Sequence, residues 1–456
     1  MATNDAVRNP RRQRNLRIAA ITAAALALAG VAALAIAQPW KGTEPGQPGL
    51  PSASVSGSES ATPTLSPIAA SPSASPSASP TASAHVIGTV TANPNLPPAK
   101  PLMSGLLASA GDGWSLVYYS ANKASEPSAV EPQVLDLVSP DGAVYEVRNL
   151  GNGEQFRVAD WAPGSSRALI LRGLSKGRDG FGTVQVLDLE TGATVGSFTL
   201  PAGVGTHAAL FTRPTGQNIV VSASGGANGW LKRYSPTGKE LATLLSETDP
   251  SLPPDGIINF SPSWLYSQDG TYAVVSHKGL WRISSDGSTK TAIPLPSGTL
   301  TCTPVRWWDA ARVLARCDDD LGPNPADPST RRTSSNMWLL PVTGGAPTRL
   351  SSYVSKQVVD FGITDAWDVA GTRFAQWTGD CGAASFGTLT ASGKYAVLTN
   401  GIVAVGHRGA TFVAEQWASC GDPVSALVLV NGTNGAIRTV LPRVGDAEGV
   451  QQVITR

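Results

Sequence analysis

The sequence predicts an all-β fold built from one repeated unit. After about residue 102, short apolar runs rich in β-branched residues are bounded by Gly, Pro, Asp or Asn, as strands are. Two such runs around a turn, followed by two more, recur from about Leu102 to Pro442. A repeat of roughly 40–55 residues with four strands is typical of a β-propeller. We count seven units; six or eight follow if the first or the sixth unit is misassigned.

Each unit contains two turns. The second turn carries a residue pair that supplies the positive φ angles of a tight hairpin. These pairs are Asp141-Gly142, Thr191-Gly192, Thr237-Gly238, Asp286-Gly287, Gly344-Gly345, Ser392-Gly393 and Asn434-Gly435. The first turns lie near Gly111, Pro163-Gly164, Thr215-Gly216, Asp269-Gly270, Asp309-Ala310, Ala370-Gly371 and His407-Gly409.

The amino-terminal residues have the pattern of a membrane anchor. Residues 1–17 are basic, and residues 18–37 form an uncharged Ala/Leu-rich run long enough to cross a bilayer. The preceding arginines predict a cytoplasmic amino terminus and an extracytoplasmic carboxyl side. The small residues at the end of the run (Ala35-Ile36-Ala37) leave signal-peptide cleavage, and hence secretion, as the alternative.

Residues 38–101 are rich in Pro, Ser, Ala and Thr, and we expect a disordered linker because they have too little apolar surface to fold. The linker separates the anchor from a head at residues 102–456. The formal net charge is +1 at pH 7, and five of the arginines lie in residues 1–17. The head therefore lacks the basic stripe that nucleic-acid binding needs.

Four cysteines lie in the exported part, where disulfides persist. Cys302 and Cys317 begin and end one predicted hairpin, whereas Cys381 and Cys420 occupy matching places in units six and seven. We therefore predict the disulfides Cys302–Cys317 and Cys381–Cys420. A four-cysteine zinc site is the alternative, but the chain has no Cys-x-x-Cys spacing.

All four cysteines are predicted on the face formed by second-to-third loops and unit connections. The longest predicted loops, at residues 121–133, 172–183 and 318–336, share that face. The structural interpretation is that the disulfides hold these loops. The functional one is that units five to seven present a binding surface there.

The tryptophans divide into two groups. Large side chains recur at the end of the first strand in units two to six, as packing between units requires. They are Trp161, Phe211, Leu265, Trp308 and Trp367. Trp377 and Trp417 lie beside Cys381 and Cys420, and we expect them to contact a partner.

We expect no cofactor and no metal, with calcium as the alternative. Asp318, Asp319 and Asp320, with Asn324 and Asp327, supply oxygen atoms of the kind that calcium prefers. Their Pro-containing spacing differs from that of an EF-hand loop, and exposed acidic runs are commonly only solvated.

Three segments carry a family resemblance. Residues 336–351 (NMWLLPVTGGAPTRLS) resemble the strand, Gly-Gly turn and strand of TolB-type repeats. Residues 160–170 (DWAPGSSRALI) and 266–274 (YSQDGTYAV) are similar to the SPDG hairpin of that family. Over the head, the chain resembles TolB-like and WD-repeat-like propellers at the level of the fold. The resemblance implies a head that presents a surface to a protein or ligand.

These expectations combine into a membrane-tethered, extracytoplasmic propeller with a monomeric head. We expect it to bind a protein or a cell-envelope polymer without catalysis. The alternative is a glycan hydrolase or lyase, which would need two carboxylates about 5–9.5 Å apart at the channel mouth. The acids available for such a pair are Asp160, Asp309, Asp360 and Asp368.

Overall fold

A computed structural model describes residues 85–456, apart from residues 124–129, 153–155, 163, 175–179, 226–227, 247–263, 278, 325–326, 356–359, 380–382 and 418–423. The basic segment, the predicted anchor at residues 18–37 and most of the predicted linker lie outside the described residues. In the part of the chain that the structure describes, no helix has the length and apolar character needed to cross a membrane. The architecture below belongs to the compact unit Pro80–Arg456.

The described residues form strands almost throughout. The first elements are β1 (Val86–Ile87), β2 (Lys100–Met103) and the short helix α1 (Leu106–Ser109). Unit 1 then contains β3 (Ser115–Lys123), β4 (Pro132–Val138) and β5 (Val144–Asn152). Unit 2 contains β6 (Phe156–Trp161), β7 (Arg167–Leu174), β8 (Phe181–Asp188) and β9 (Thr194–Thr199). Unit 3 contains β10 (Val204–Phe211), β11 (Ile219–Gly225), β12 (Asn228–Tyr234) and β13 (Glu240–Ser246).

The later units follow the same plan. Unit 4 contains β14 (Trp264–Tyr266), β15 (Tyr272–Ser276), β16 (Leu280–Ser284) and β17 (Lys290–Ile293). Unit 5 contains β18 (Thr299–Trp307), β19 (Arg312–Asn324), β20 (Asp327–Pro341) and β21 (Thr348–Arg349). Unit 6 contains β22 (Asp360–Val369), β23 (Thr372–Gly379), β24 (Ala384–Leu389) and β25 (Tyr395–Asn400). Unit 7 contains β26 (Ile402–Arg408), β27 (Thr411–Trp417), β28 (Val424–Asn431) and β29 (Ile437–Pro442), and β30 (Ala447–Thr455) follows it.

Within units 2 to 7, consecutive strands pair antiparallel in chain order. The predicted second turns are confirmed, because each joins the third and fourth strands of a unit. Their glycines have φ values between 72° and 122°, which residues other than glycine rarely adopt. Gly287 is also in close contact with the preceding unit. A Cβ atom there would lie 2.2 Å from the carbonyl oxygen of Thr243, so this turn packs directly on the outer strand of unit 3.

Unit 1 differs from its predicted form. Its first strand is not the segment before Gly111; it is β30, which pairs antiparallel with β3 from Ser115↔Thr455 to Lys123↔Ala447. The repeat therefore does not end at Pro442. No local sequence signal shows that β30 supplies the first strand of unit 1, because the strand that pairs with the edge of β3 comes from the far end of the chain. The pairing joins the two ends of the repeat.

The segment before unit 1 is also folded, although the sequence places residues up to 101 in the linker. β2 pairs parallel with β5, the outer strand of unit 1, and β1 pairs with β2. The side chains of Leu102 and Leu107 are fully buried. The head therefore begins before the predicted boundary, because this segment covers the open edge of unit 1.

The hydrophobic core is divided into clusters that lie between units. Among the described residues, clusters of buried side chains each join two consecutive units, including the last and the first. They include Trp161 between units 1 and 2, Phe211 between 2 and 3, Tyr266 between 3 and 4, Val313 between 4 and 5, Met337 between 5 and 6, Phe412 between 6 and 7, and Leu427 between 7 and 1. Burial between neighbours and the β3–β30 pairing close the units into a ring. The predicted all-β propeller fold is confirmed.

The aromatic residues predicted as core behave as expected. Trp161, Phe211 and Trp367 are at most 2% exposed and lie in clusters between units. Leu265 and Trp308 are partly buried and pack against such clusters. The end of the first strand is thus where a large side chain fills the space between neighbouring sheets.

Candidate functional site

Unit 5 contains an extended hairpin where the sequence predicts a loop. β19 and β20 have 13 and 15 residues, and they pair as far as Asn324↔Asp327. The first strand of the unit, β18, pairs with β19 only as far as Asp319. The outer part of the hairpin therefore extends beyond the sheet, on the face that carries the second-to-third connections. The prediction of a long irregular loop at residues 318–336 was wrong.

Three large apolar side chains flank the base of this hairpin. Leu300 lies between Thr299 and Thr301, which pair with Asp319 and Asp318 of the hairpin. Leu300, Val354 and Phe361 are 45%, 62% and 52% exposed. We call these three residues together with hairpin residues 318–324 and 327–335 the hairpin face.

Phe361 and Val354 are fixed on the other side of the hairpin. Gly362 pairs parallel with Ser335, and a Cβ atom on Gly362 would lie 2.6 Å from the Ser335 carbonyl oxygen. Gly362 has a φ of 91°, so only glycine fits this close approach without strain. Tyr353, which precedes Val354, donates its backbone N–H to the Asn336 Oδ1 atom at 2.7 Å.

A buried polar network holds the base of the hairpin. Asn336 is fully buried, and its Nδ2 atom donates to Asp319 Oδ2 and to the Tyr353 carbonyl, both at 2.8 Å. The Ser351 hydroxyl donates to Asn336 Oδ1 at 2.7 Å. Ser335 donates its hydroxyl to Asp318 Oδ1 at 2.6 Å. Because these groups satisfy one another away from water, the hairpin has a defined base.

The predicted disulfide Cys302–Cys317 is present in the structure. The two residues lie directly opposite each other in the β18–β19 pair, and both are buried in the cluster between units 4 and 5. Cys317 is the last residue before the acidic run, so the bond lies at the base of the hairpin. Cys381 and Cys420 lie outside the described residues, and the Cys381–Cys420 disulfide stays a prediction.

The structure places Trp377 and Trp417 in different parts of the ring. Trp377 is partly buried against the cluster between units 5 and 6, and Trp417 against the cluster between units 7 and 1. Each is therefore partly a packing residue. They occupy equivalent positions near the ends of β23 and β27, and their role as partner contacts stays a prediction.

The acidic residues considered for calcium serve the hairpin base. Asp318 accepts hydrogen bonds from Thr301 and Ser335, and Asp319 accepts from Asn336 and Arg349. Asp320 accepts from the backbone N–H of Gly322 at 2.9 Å. Among the described residues, no three His, Cys, Asp or Glu side chains are grouped closely enough to hold a metal.

Three of the acids considered for a hydrolase have structural partners. Asp160 is buried and accepts from the Phe211 backbone N–H at 2.8 Å and from Arg213 at 3.0 Å. Asp309 and Asp368 accept backbone N–H groups within their own turns. The side chain of Asp360 lies outside the described part. Partners of this kind orient a carboxylate for folding, and none of the three depends on a ligand.

Two further carboxyls are buried in the interior, and the sequence did not single them out. Burial raises the pKa of Asp365 to about 6, and the neighbouring Arg306 guanidinium opposes this shift. Burial also raises the pKa of Asp136 well above its usual range, with a further contribution from Glu146. A strand of alternating polarity gives no sign that both faces of its sheet are buried. The burial of the Asp136 and Asp365 carboxyls could therefore not be predicted from sequence.

The sequence also missed Leu300, Val354 and Phe361. Leu300 and Phe361 each lie next to the first residue of a strand and Val354 lies in a connection, and an isolated apolar residue at such a place is a weak signal. The useful signal is the polar run Ser334-Ser335-Asn336 directly before the buried residues of β20, because polar residues at strand positions need partners.

Comparisons with known proteins give similarity of fold only. No protein-family model matches the chain, and no curated protein matches it. Among solved structures, the β-propeller domain of the Trilobed protease from Pyrococcus furiosus is 10% identical with a TM-score of 0.45, covering 74% of this chain and 97% of that one. The C-terminal WD40 domain of Sif2 is 13% identical with a TM-score of 0.37, covering 62% and 72%.

A third solved structure is the Myceliophteria thermophila Cps50 (Swd1) β-propeller domain. It is 11% identical with a TM-score of 0.39, covering 74% of this chain and 99% of that one. The resemblance to WD-repeat-like propellers noted in the sequence is thus found among solved structures, at the level of the fold.

Proposed function

We propose that this chain is a non-catalytic binding module whose hairpin face docks a protein or another ligand of the cell envelope. The observation that carries the proposal is the position of Leu300, Val354 and Phe361. These exposed apolar side chains surround a hairpin whose base is fixed by a disulfide and a buried Asn336.

Rigidity at this face favours binding. Ordering of side chains and loops opposes association, so a surface that is already fixed loses less entropy when a partner binds. Exposed apolar residues grouped with polar neighbours are typical of interaction sites.

Four of the seven other exposed apolar residues found in the described part of the chain provide the comparison. Val195, Leu241, Val397 and Ile437 lie on the fourth strands of units 2, 3, 6 and 7, one on each. They are spread around the outer edge of the ring. The hairpin face differs because its three apolar residues border one fixed structure.

The placement of this head in the cell completes the proposal. Residues 18–37 anchor the chain in the membrane, the linker holds a monomeric head outside, and the head is a ring of seven blades. Trp377 and Trp417 extend the contact surface toward units 6 and 7. The apolar run, the composition of the linker and the seven paired units support these statements.

Site-specific photo-crosslinking in the native host tests the binding proposal. A photoreactive residue at Leu300 of the full-length chain should give a defined crosslinked partner. The variant Phe361→Asp should weaken this crosslink by about tenfold or more, because a charge would lie in an apolar contact. The control Val397→Asp changes a residue of similar exposure in the same unit, at the outer edge, and should leave the crosslink unchanged.

Two results would contradict the proposal. One is a crosslink that is as strong from Val397 as from Leu300, or that Phe361→Asp does not weaken. The other is release of sugars from cell-wall glycan by the purified full-length chain, lost when Asp160 or Asp368 is replaced by Asn. That second result would favour the hydrolase instead.

A further inference from the structure

A second concave site lies on the opposite face of the ring, between the first turns of units 4 and 5. The cavity has a volume of about 190 Å³ and is lined by Ser267, Gln268, Asp269, Tyr272, Trp307, Asp309 and Ala310. Leu300 and Trp307 are at opposite ends of β18, roughly 20 Å apart by strand geometry. The cavity is therefore separate from the hairpin face and does not rest on the proposed function.

Two aromatic rings form its apolar wall. The rings of Tyr272 and Trp307 lie 5.6 Å apart between centroids and are nearly perpendicular, at 77°. Trp307 donates its Nε1 hydrogen to the Tyr266 carbonyl at 2.8 Å, which fixes the plane of the indole. A fixed aromatic wall presents apolar surface without loss of side-chain freedom when a ligand binds.

The opposite rim is polar. Gln268, an amide with both donors and an acceptor, and the carboxylate of Asp269 are both exposed there. A hydrogen bond from the Ser267 hydroxyl, followed by one from the Thr271 backbone, lowers the pKa of Asp269. This carboxylate is therefore an acceptor at neutral pH, and it is held in place by its own turn.

The charges around the cavity disfavour an ionic ligand. Asp309 already accepts from Arg312 Nε at 2.7 Å. The Arg282 guanidinium lies 4.2 Å from the centre of the ring of Tyr272, which lines the cavity. A cationic ligand would be repelled by these two arginines, and an anionic ligand would be repelled by the carboxylates of Asp269 and Asp309. A neutral ligand rich in hydroxyl groups would be repelled by neither pair.

The size of the cavity limits the ligand to one small ring. Pockets for drug-sized ligands are about 300–1,000 Å³, which is well above this volume. We propose that this cavity binds a single neutral pyranose unit of a glycan, with the sugar ring on Trp307 and its hydroxyls on Gln268 and Asp269.

Ligand-observed NMR with the purified full-length chain tests this inference. The probes are the methyl pyranosides of glucose, galactose, mannose and N-acetylglucosamine. We expect at least one to bind with a dissociation constant on the order of 1 mM, as suits one small ring. Asp269→Asn keeps an acceptor for the Thr271 N–H but removes the negative charge. The double variant Asp269→Asn with Gln268→Ala should weaken sugar binding about tenfold.

Asp286→Asn is the matched control. Asp286 makes the same kind of turn hydrogen bond, from the Ser288 N–H at 3.0 Å, in the other turn of unit 4, and it does not line the cavity. It should leave sugar binding unchanged. Asp269→Asn alone serves as the second variant if the double variant unfolds, and it should weaken binding about threefold.

Three outcomes would overturn the inference. The first is that none of the methyl pyranosides binds, even at a concentration about fifty times the expected dissociation constant. The second is that Asp286→Asn weakens binding as much as Asp269→Asn does. The third is that Nα-acetyl-lysine amide binds in an Asp269-dependent way while the sugars do not, which would identify a site for cationic side chains.

Discussion

The guanidinium carbon of Arg456 lies 3.4 Å from the centre of the Trp161 indole ring. Arg456 directly follows β30, and Trp161 ends the first strand of unit 2, so this contact joins the closing strand to its neighbour. The same guanidinium donates to backbone carbonyls in two segments, one before unit 1 and one in the first turn of unit 2. They are Leu107 at 2.9 Å and Ala110 at 2.6 Å before β3, and Ser165 at 2.9 Å after β6.

Arg456→Ala should therefore destabilise the ring strongly. We expect the free energy of unfolding to fall by about 3 kcal/mol, from several charge-assisted hydrogen bonds and a cation–π contact. Urea unfolding of the full-length chain measures this. Arg438→Ala is the control, because Arg438 makes one exposed bond, to the Asp141 carbonyl, and should change the free energy by less than about 1 kcal/mol. Equal effects of the two substitutions would show that Arg456 is not a closing contact.

Asn336 should be the residue on which the hairpin base depends. Asn336→Ala removes the partner of two acceptors and two donors in the interior, so stability should fall by about 3 kcal/mol. Hydrogen exchange should show faster opening of β19 and β20 than of β10 and β11. The isosteric change Asn336→Asp should be no better, because it places a carboxylate against Asp319 Oδ2. Full stability of Asn336→Asp would contradict the assigned network.

The two disulfides can be separated by experiment. A peptide map without reduction should join Cys302 to Cys317 and Cys381 to Cys420. The variant Cys302→Ala with Cys317→Ala should lose about 3 kcal/mol, as expected for opening a loop of 15 residues. A map that joins Cys302 to Cys381 or Cys420 would contradict both pairings.

Local signals explain what the sequence predicts well in this fold. The second turns were found because Gly142, Gly287 and Gly435 adopt positive φ, which is a property of the residue itself. The disulfide Cys302–Cys317 followed from the same local pairing of strands. Trp161 was found because a large side chain recurs at its place in units two to six.

Long-range effects explain what the sequence does not predict. Asp318 and Asp319 are typical turn residues, yet they lie in a strand because Ser335, Asn336 and Arg349 satisfy their carboxylates across the sheet. Nothing local shows that β30 completes unit 1. The hairpin face depends on the contacts across the sheet, and it could not be predicted from sequence.

Glu415 should make stability depend on pH. Burial raises the pKa of Glu415 to about 7. Between about pH 4.5 and pH 7 the folded chain therefore keeps a proton that the unfolded chain has lost. Folding stability from this group is highest below that window and falls as the pH rises through it. Glu415→Gln should remove this decline and stabilise the chain at pH 8 by about 2 kcal/mol.

Urea unfolding from pH 4 to pH 8 measures the difference between Glu415→Gln and the unsubstituted chain. The difference is needed because burial also raises the pKa values of Asp136 and Asp365, and these groups contribute to the slope of stability against pH in both proteins. Glu240→Gln is the control of opposite sign. Burial acts to raise the pKa of Glu240, but hydrogen bonds from Lys232 and Thr243 lower it overall. Removal of the Glu240 carboxylate should therefore not stabilise the chain at pH 8. A constant difference across this pH range would show that Glu415 is ionised in the folded chain throughout, and that solvent or a counter-charge reaches its carboxylate.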